Sequence, residues 1–262
     1  MKKLLGTVVL GFLWCSAGFT EIYPKAASYL FKKNLYTDCD ILIKKDPTSF
    51  QRLLFVEEKK ILSWDAREQK SSGWYQSFFK TFIFKAEFKK SKDILIIVNS
   101  EFKTKEKAKK QALKYGKIVG QLPNFLRTGL KIITIHKGNR TWGAAYDNII
   151  IHTGSRGKRK CAEEVMIHEG GHVSLDTDSA GALVKSYLWI KAIKADHKYI
   201  SKYAKDFPKR EDVAETINWW IAVRCKSDRI SKSNYKKIVK GIPNRLKYLD
   251  ELNFDTYPLV CN

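Results

Sequence analysis

The sequence predicts an α+β fold in which a mixed β-sheet precedes a set of helices. Residues 50–153 consist mainly of short runs rich in β-branched and aromatic side chains, which favour strands. After residue 157 the apolar residues instead recur at the spacing of amphipathic helices. Strands that come first and helices that come second are typical of an α+β chain. We therefore expect an N-terminal lobe that contains the sheet and a C-terminal helical lobe.

Five runs in the first lobe have the composition of strands, and one segment between them has that of a helix. The helix is predicted over 103–123, ending near Gly120 and Pro123, because glycine and proline both terminate helices. The segment KTFIFKAEF (80–88) alternates apolar and polar residues, as a half-buried strand does. The predicted strands are RLLFVEE (52–58), KTFIFKAEF (80–88), DILIIVNSEF (93–102), LKIITIH (130–136) and DNIIIHTG (147–154).

The second lobe is predicted to be helical throughout. Each segment repeats apolar residues three or four positions apart, which places them on one helical face. The first of these helices carries two histidines and lies where the two lobes meet. The segments cover residues 158–175, 181–196, 197–206, 209–226 and 231–249.

Residues 1–17 have the features of a secretory signal peptide. Two lysines precede an apolar run over 4–14, and small residues lead to a cleavage position after Ala17. No later segment approaches the roughly 20 apolar residues that a transmembrane helix needs. We therefore expect a secreted protein without a membrane span, with a sheet-containing lobe over 18–155 and a helical lobe over 156–262.

The net charge is strongly positive, at +22, with 49 basic and 27 acidic side chains. A field of this sign attracts acidic surfaces and polymers. The lysines are nevertheless spread along the whole chain, and no motif of a nucleic-acid-binding module is present. We therefore expect a monomer with a basic, solvated surface and no specific nucleic-acid partner.

Four cysteines follow the signal peptide, which in an exported chain indicates two disulfides. Four cysteines allow three pairings. We favour the pairing of Cys39 with Cys261, which would tie the ends of the chain, and of Cys161 with Cys225, which would tie two helices.

The segment HEGGH, from His168 to His172, is the strongest motif in the chain. Residues four apart share one face of a helix, so both imidazoles can bind one Zn²⁺ ion at about 2 Å. Glu169 is turned about 100° away, which suits a base that holds water beside the metal. The adjacent Gly170 and Gly171 each cost a helix roughly 1 kcal/mol relative to alanine. We attribute this cost to the close approach of a sheet or a substrate.

A tetrahedral zinc site with one position left for water needs a third protein ligand. Asp178 is the nearest candidate, but it requires a sharp turn at Leu175, where a positive φ would be unfavourable. The stronger candidates are Glu211 and Glu215, four residues apart on a helix that we expect to begin at Pro208. One carboxylate would bind the metal while the other accepts a hydrogen bond from a ligating histidine.

These motifs together resemble the gluzincin class of zinc metallopeptidases. The pattern HExxH followed downstream by ExxxE is that of the class, and it resembles in particular the branch with the anthrax lethal factor-type catalytic domain. The segments HEGGHVSLD, YAKDFPKREDVAET and IPNRLKYLD also resemble a group of uncharacterised secreted proteins. The likeness covers the C-terminal lobe alone and implies a zincin-like fold, with the active-site helix between the lobes.

The resemblance also implies a role for each residue. His168, His172 and Glu211 would bind Zn²⁺. Glu169 would be the general base in the hydrolysis of a peptide bond, and Glu215 would hold a ligating histidine. The chain would then be a secreted metallopeptidase that acts as an endopeptidase on peptides or proteins.

Further roles follow from the same resemblance. A tyrosine shortly before the ligand glutamate assists catalysis in that branch, and Tyr203 is the nearest match. Apart from the resemblance, the residues themselves offer Tyr203 or His197 as a hydrogen-bond donor to the oxyanion. An edge strand before the histidine helix pairs with the substrate in this class, and Asn148–Gly154 stands in that place. His152, near the end of that strand, has no metal role in this interpretation.

Two alternatives remain open. Glu164, one turn before His168, either orients that histidine or is a solvated residue favoured by the helix dipole. The chain as a whole could also be a secreted cationic binding protein on an inactive zincin scaffold. The presence of Glu169 favours the enzyme, because a binding protein has no need of a base.

Overall fold

A computed structural model of the chain describes residues 23–32, 41–65, 67, 75–154, 161–176 and 182–261. The predicted signal peptide, Cys39 and the alternative ligand Asp178 lie outside these residues. Within them the fold is α+β, as predicted, with a six-stranded mixed sheet, a two-stranded sheet and seven α-helices.

The six-stranded sheet contains all five segments predicted as strands. Its strands are β2 (Phe50–Asp65), β3 (Tyr75–Phe88), β4 (Ile94–Asn99), β5 (Ile132–His136), β6 (Gly143–Ala145) and β7 (Asn148–His152). Their order across the sheet is β2-β3-β4-β5-β7-β6. The strands β4, β5 and β7 are parallel to one another, and the antiparallel strands lie outside them. The central parallel strands are apolar and mostly buried, as strands covered on both faces are expected to be.

The strand at one edge of this sheet is β6, and the prediction that Asn148–Gly154 forms that edge is wrong. The chain reverses at Tyr146 and Asp147, so that Ala145 lies opposite Asn148 and β6 runs antiparallel along β7. Tyr146 takes a positive φ of 55° in this turn. The short hairpin therefore places one more strand between β7 and solvent.

The helix predicted over 103–123 is α1 (Lys105–Gln121), which covers one face of the sheet. It begins after Thr104, whose hydroxyl accepts a hydrogen bond from the backbone N–H of Lys107 at 3.3 Å. Its buried side includes Ala112, Tyr115 and Val119 and packs against β2, β3 and β4. The predicted end near Gly120 is confirmed.

Six helices follow in the described part of the second half. They are α2 (Ala162–Leu175), α3 (Tyr187–Asp196), α4 (Lys202–Asp206), α5 (Asp212–Cys225), α6 (Lys232–Gly241) and α7 (Pro243–Glu251). The histidine helix α2 contacts α1, β6 and β7, and it also packs along α5. Among the described residues no helix has both the length and the apolar character that crossing a membrane requires.

Residues 197–206 are helical only in their second half, so the prediction of one helix there is wrong. Lys198–Ser201 forms strand β8, which pairs in parallel with β1 (Ser28–Phe31). The preceding helix α3 ends at His197, which adopts the left-handed conformation with φ 50°. The ring of Phe31 stacks on Trp219 of α5 at 4.7 Å. The start of the described chain therefore packs against the helical half.

The disulfide pairing also differs from the expected one. Cys225, at the end of α5, is bonded to Cys261, because the chain after α7 returns to α5 and packs Phe254 edge-on against Trp220 at 5.7 Å. Cys161 is disulfide-bonded as well. Both favoured pairs are therefore wrong, because Cys225 and Cys261 are bonded to each other, whereas the favoured pairs joined each of them to a different cysteine.

Candidate metal centre

The two histidines of α2 face the same point, as their spacing predicts. Their Nε2 atoms lie 3.1 Å apart, with the ring planes nearly perpendicular at 85°. His168 is buried, and His172 is half-buried with 18% of its side chain exposed. One helical turn therefore presents two imidazole nitrogens to one position.

Glu211 brings a carboxylate to this position from the start of α5. The helix was expected to begin at Pro208, but it begins at Asp212, because the chain first turns with the N–H of Glu211 donating to the carbonyl of Phe207 at 2.8 Å. Glu211 is therefore the N-cap residue. The N–H of Glu215 donates to its carbonyl at 2.9 Å, so the two glutamates remain one turn apart.

The three donor atoms have the spacing of metal ligands. The Oε2 atom of Glu211 lies 3.3 Å from Nε2 of His168 and 3.2 Å from Nε2 of His172. A tetrahedral ion with bonds of about 2.0–2.1 Å would hold its ligand atoms about 3.3 Å apart. Oε2 is buried and forms no hydrogen bond of good geometry with the described residues. The donor set and its spacing thus fit a metal ion, and this is the one such group of three in the described residues.

Electrostatic coupling holds the three residues together when no metal is bound. Burial alone raises the pKa of Glu211, but its contacts with the two histidines outweigh burial and hold the pKa well below its usual range. Burial lowers the pKa of His168, whereas the close contact with Glu211 and the charges of Glu169 and Glu215 raise it to about 9. The protonated, positively charged form of His168 is therefore favoured beside Glu211, where a metal cation would bind.

A second carboxylate lies behind each histidine. The Oε1 atom of Glu215 is 3.4 Å from Nδ1 of His168, and the Oδ2 atom of Asp176 is 3.9 Å from Nδ1 of His172. Burial raises the pKa of both carboxyl groups. Glu215 has the predicted position. Asp176 was not predicted, although the spacing of four residues from His172 on the same helix could have indicated it.

Tyr203 also reaches the site. The Tyr203 hydroxyl donates to Oε1 of Glu211 at 2.9 Å. Burial and the neighbouring Glu211 carboxylate raise the pKa of Tyr203 to about 12. His197 is exposed at the end of α3. Glu169 is buried on α2 beside His168, whose pKa its charge raises.

The start of α5 is anchored by a buried ion-pair network. Arg245 of α7 donates to Oδ1 of Asp212 at 2.6 Å and to Oδ2 of Asp196 at 3.0 Å, and it also bonds the carbonyl of Lys198. The charged side chains of Arg245, Asp212 and Asp196 are fully buried. Because Asp212 directly follows Glu211, this network fixes the turn that presents the third candidate ligand.

The two glycines of the motif are explained by helix packing. A Cβ atom on Gly171 would lie 3.2 Å from the Cα of Ala214 on α5, and one on Gly170 would lie 3.2 Å from the carbonyl of Leu126. The expected close approach is thus present, but it involves α5 and the turn at 124–126 rather than a sheet or a substrate. Small residues here allow α2 and α5 to lie close enough to share one site.

Glu164 is buried, so the alternative that it is a solvated residue at the start of the helix is wrong. Its side chain is only 1% exposed, and its Oε1 atom accepts a hydrogen bond from the backbone N–H of Ile41 at 2.8 Å. It therefore ties the segment before the sheet to α2 and is not a solvated helix-start residue.

No protein-family model, no curated protein and no solved structure matches this chain. The resemblance to gluzincins consequently stays a prediction that rests on the motifs and on the site geometry.

Proposed function

We propose that the chain is a secreted zinc-dependent metallopeptidase of the gluzincin type. The observation that carries this proposal is the triangle of His168, His172 and Glu211 donor atoms, with sides of 3.1, 3.2 and 3.3 Å, next to Glu169. The triangle supports a metal, and the adjacent glutamate supports hydrolysis rather than metal storage.

Two imidazoles and one carboxylate are a donor set typical of catalytic zinc, with one position left open. When bound, a zinc ion activates water for attack and polarises a carbonyl group. Glu169 would accept a proton from the attacking water and return it to the leaving amine. Tyr203, whose single O–H donates to Glu211 in the structure, would turn that O–H toward the negative charge that develops on the carbonyl oxygen. Glu215 would keep the ring of His168 in place.

The substrate would bind as an extended peptide along β6. This strand lies beside α2, and its outer edge pairs with no strand of the described residues. An open edge offers backbone N–H and C=O groups to an added strand. This replaces the expectation that β7 would take the substrate.

Further features support the same class. A mixed sheet covered by α1, with α2 crossing to the helical half, is compatible with a zincin-like layout. The disulfide between Cys225 and Cys261 is compatible with an oxidising compartment, as the predicted signal peptide requires.

The first test is the zinc content of the purified chain, measured by elemental mass spectrometry. We expect about one zinc per wild-type chain, none in Glu211→Ala, and full content in the control Asp178→Ala. Loss of zinc in Asp178→Ala but not in Glu211→Ala would show that the third ligand is wrongly assigned. A wild-type chain that binds none when zinc is supplied would overturn the metal site and favour the cationic binding protein.

The second test separates metal binding from hydrolysis. Glu169→Gln preserves the shape of the side chain and removes the base, so we expect normal zinc content and a 10²- to 10⁴-fold loss of peptide hydrolysis. Glu163→Gln is the matched control, because Glu163 is also buried on α2 but has Lys44 and Lys114 as its neighbours. Equal loss in both variants would argue against the assigned base.

A further inference from the structure

Arg210 places a guanidinium group directly beside the candidate metal centre. Its Nε atom donates to Oε1 of Glu211 at 2.8 Å, while the other oxygen of that carboxylate faces the two histidines. The hydroxyl of Tyr203 donates to the same Oε1 atom at 2.9 Å. A cationic side chain and a phenol thus share one oxygen of the third candidate ligand.

The position of this guanidinium is fixed by its neighbours. It lies over the ring of Phe207, with 5.0 Å between the guanidinium carbon and the ring centroid. Phe207 also packs edge-on against Tyr203 at 5.3 Å. The turn itself is closed by the N–H of Arg210 donating to the carbonyl of Phe207 at 3.0 Å. The side chain is therefore ordered before any ligand arrives, which lowers the entropic cost of binding one.

The outer part of the guanidinium is open to a ligand. A guanidinium has five donors in a planar fork, and the hydrogen bond to Glu211 uses the Nε donor. The Arg210 side chain is 65% exposed. Because Nε touches the candidate ligand, the outer donors lie within about 7 Å of the metal position, the length of two residues of extended peptide. A peptide bound at the metal would therefore pass within reach of them.

We infer that Arg210 selects substrates that carry a carboxylate next to the bond to be cleaved. The planar fork matches a carboxylate with two parallel hydrogen bonds, which a lysine cannot do. The nearby Lys209 is exposed and Lys205 is half-buried, and both add to the positive charge around Arg210. The inference rests on the proposed function and specifies its substrate class. The carboxylate can belong to an acidic side chain or to the C-terminus of the peptide.

The inference is tested by peptide binding rather than by turnover. The protein is the zinc-loaded Glu169→Gln variant, and fluorescence anisotropy reports the affinity for three labelled peptides of one sequence. In the first peptide the residue next to the bond to be cleaved is glutamate, and both ends are blocked. The second has glutamine at that position and blocked ends. The third has glutamine at that position and a free C-terminus. We expect one of the two carboxylate peptides to bind about tenfold more tightly than the neutral one, and its identity distinguishes the two sources.

Replacement of Arg210 separates substrate selection by Arg210 from an effect of general positive charge and from positioning of Glu211. Arg210→Gln is expected to abolish the tenfold preference, and Arg210→Lys to retain only part of it. Arg52→Gln is the matched control, because Arg52 is 66% exposed and its Nε atom also bonds a glutamate, Glu87, at 2.6 Å. Its replacement should leave the preference unchanged.

Three outcomes would overturn the inference. Persistence of the preference in Arg210→Gln would assign it to the general positive charge. Equal binding of all three peptides by the zinc-loaded Glu169→Gln protein would show that there is no preference to explain. A lower zinc affinity in Arg210→Gln with the preference intact would make Arg210 only a positioning residue for Glu211. Zinc content measured on the same samples distinguishes these results from failure of the proposed function, in which no zinc is bound.

Discussion

The Nδ1 atom of His168 lies 3.4 Å from Oε1 of Glu215, across the imidazole ring from the three candidate ligand atoms. This buried carboxylate favours the tautomer that keeps Nε2 available for a metal. We expect Glu215→Gln to weaken zinc binding 10- to 100-fold, as loss of such a partner typically does. Competition with a chromophoric chelator measures the affinity.

Glu164→Gln is the control for that variant. Glu164 is equally buried and also lies close to His168 in sequence, but its carboxylate accepts from Ile41. We expect it to change stability and to leave zinc affinity within about twofold of wild type. Similar zinc losses in both variants would mean that any change in this core disturbs the site.

The contact between α2 and α5 predicts a selective effect of Gly171→Ala. The added Cβ would lie 3.2 Å from the Cα of Ala214, so the two helices must separate by a few tenths of an ångström. Alanine also favours the helix by roughly 1 kcal/mol, which offsets this strain. We expect little change in the stability of the metal-free protein but roughly tenfold weaker zinc binding, since ligands must be held within about 0.5 Å.

Gly170→Ala provides the comparison for that prediction. Its Cβ would meet the carbonyl of Leu126 and not α5. Zinc affinity should therefore stay closer to wild type than in Gly171→Ala. The reverse order of the two affinities would show that the separation of α2 and α5 does not determine the site.

The buried network around Arg245 predicts a large loss of stability on its removal. Arg245→Met leaves the carboxylates of Asp196 and Asp212 buried without their cation, which costs about 3–5 kcal/mol. Urea unfolding of the metal-free protein measures this loss. Arg224→Met is the matched control, because its ion pair with Asp250 is partly exposed and is expected to contribute less than about 1 kcal/mol. Comparable losses in the two variants would contradict the importance assigned to the buried network.

Asp46 predicts a pH dependence of stability. Burial raises its pKa, but Arg229, the N–H of Ile43 and Lys226 together lower it to about 2. An unfolded aspartate has a pKa of about 3.9, so the native state is stabilised above this pH, and the stabilisation is lost as the pH falls toward 2. We expect wild type to lose more stability between pH 4 and pH 2 than Asp46→Asn does, measured by urea unfolding. Parallel pH curves for the two proteins would refute this role.

Much of the sheet and most of the site were predictable because they depend on local patterns. The strands β3, β4, β5 and β7 are apolar runs whose burial in the sheet suits their composition. The HEGGH segment and the pair of Glu211 and Glu215 need only the helical spacing of four residues. These features depend on neighbouring residues, whereas the choice of Glu211 over Glu215 as the metal ligand rested on the resemblance to gluzincins.

The features that were missed depend on distant partners or on strained turns. The hairpin between β6 and β7 turns through Tyr146 at a positive φ of 55°, without the glycine or asparagine that normally indicates such a turn. Strand β8 lies in a stretch with helical spacing, and its pairing with β1 far away in the chain overrides that pattern. The partner of Cys225 likewise depends on how the C-terminal segment returns along α5.

The parallel pairing of β1 with β8 has a consequence for the order of folding. Strand β1 leaves the ribosome before the whole sheet, and its partner follows only after α3. At a synthesis rate of roughly 5–20 residues per second, the wait is on the order of ten seconds. Phe31 has no Trp219 to stack on during that time. Because contacts between distant segments form slowly, the first strand of the described chain is among the last to pair with its partner strand.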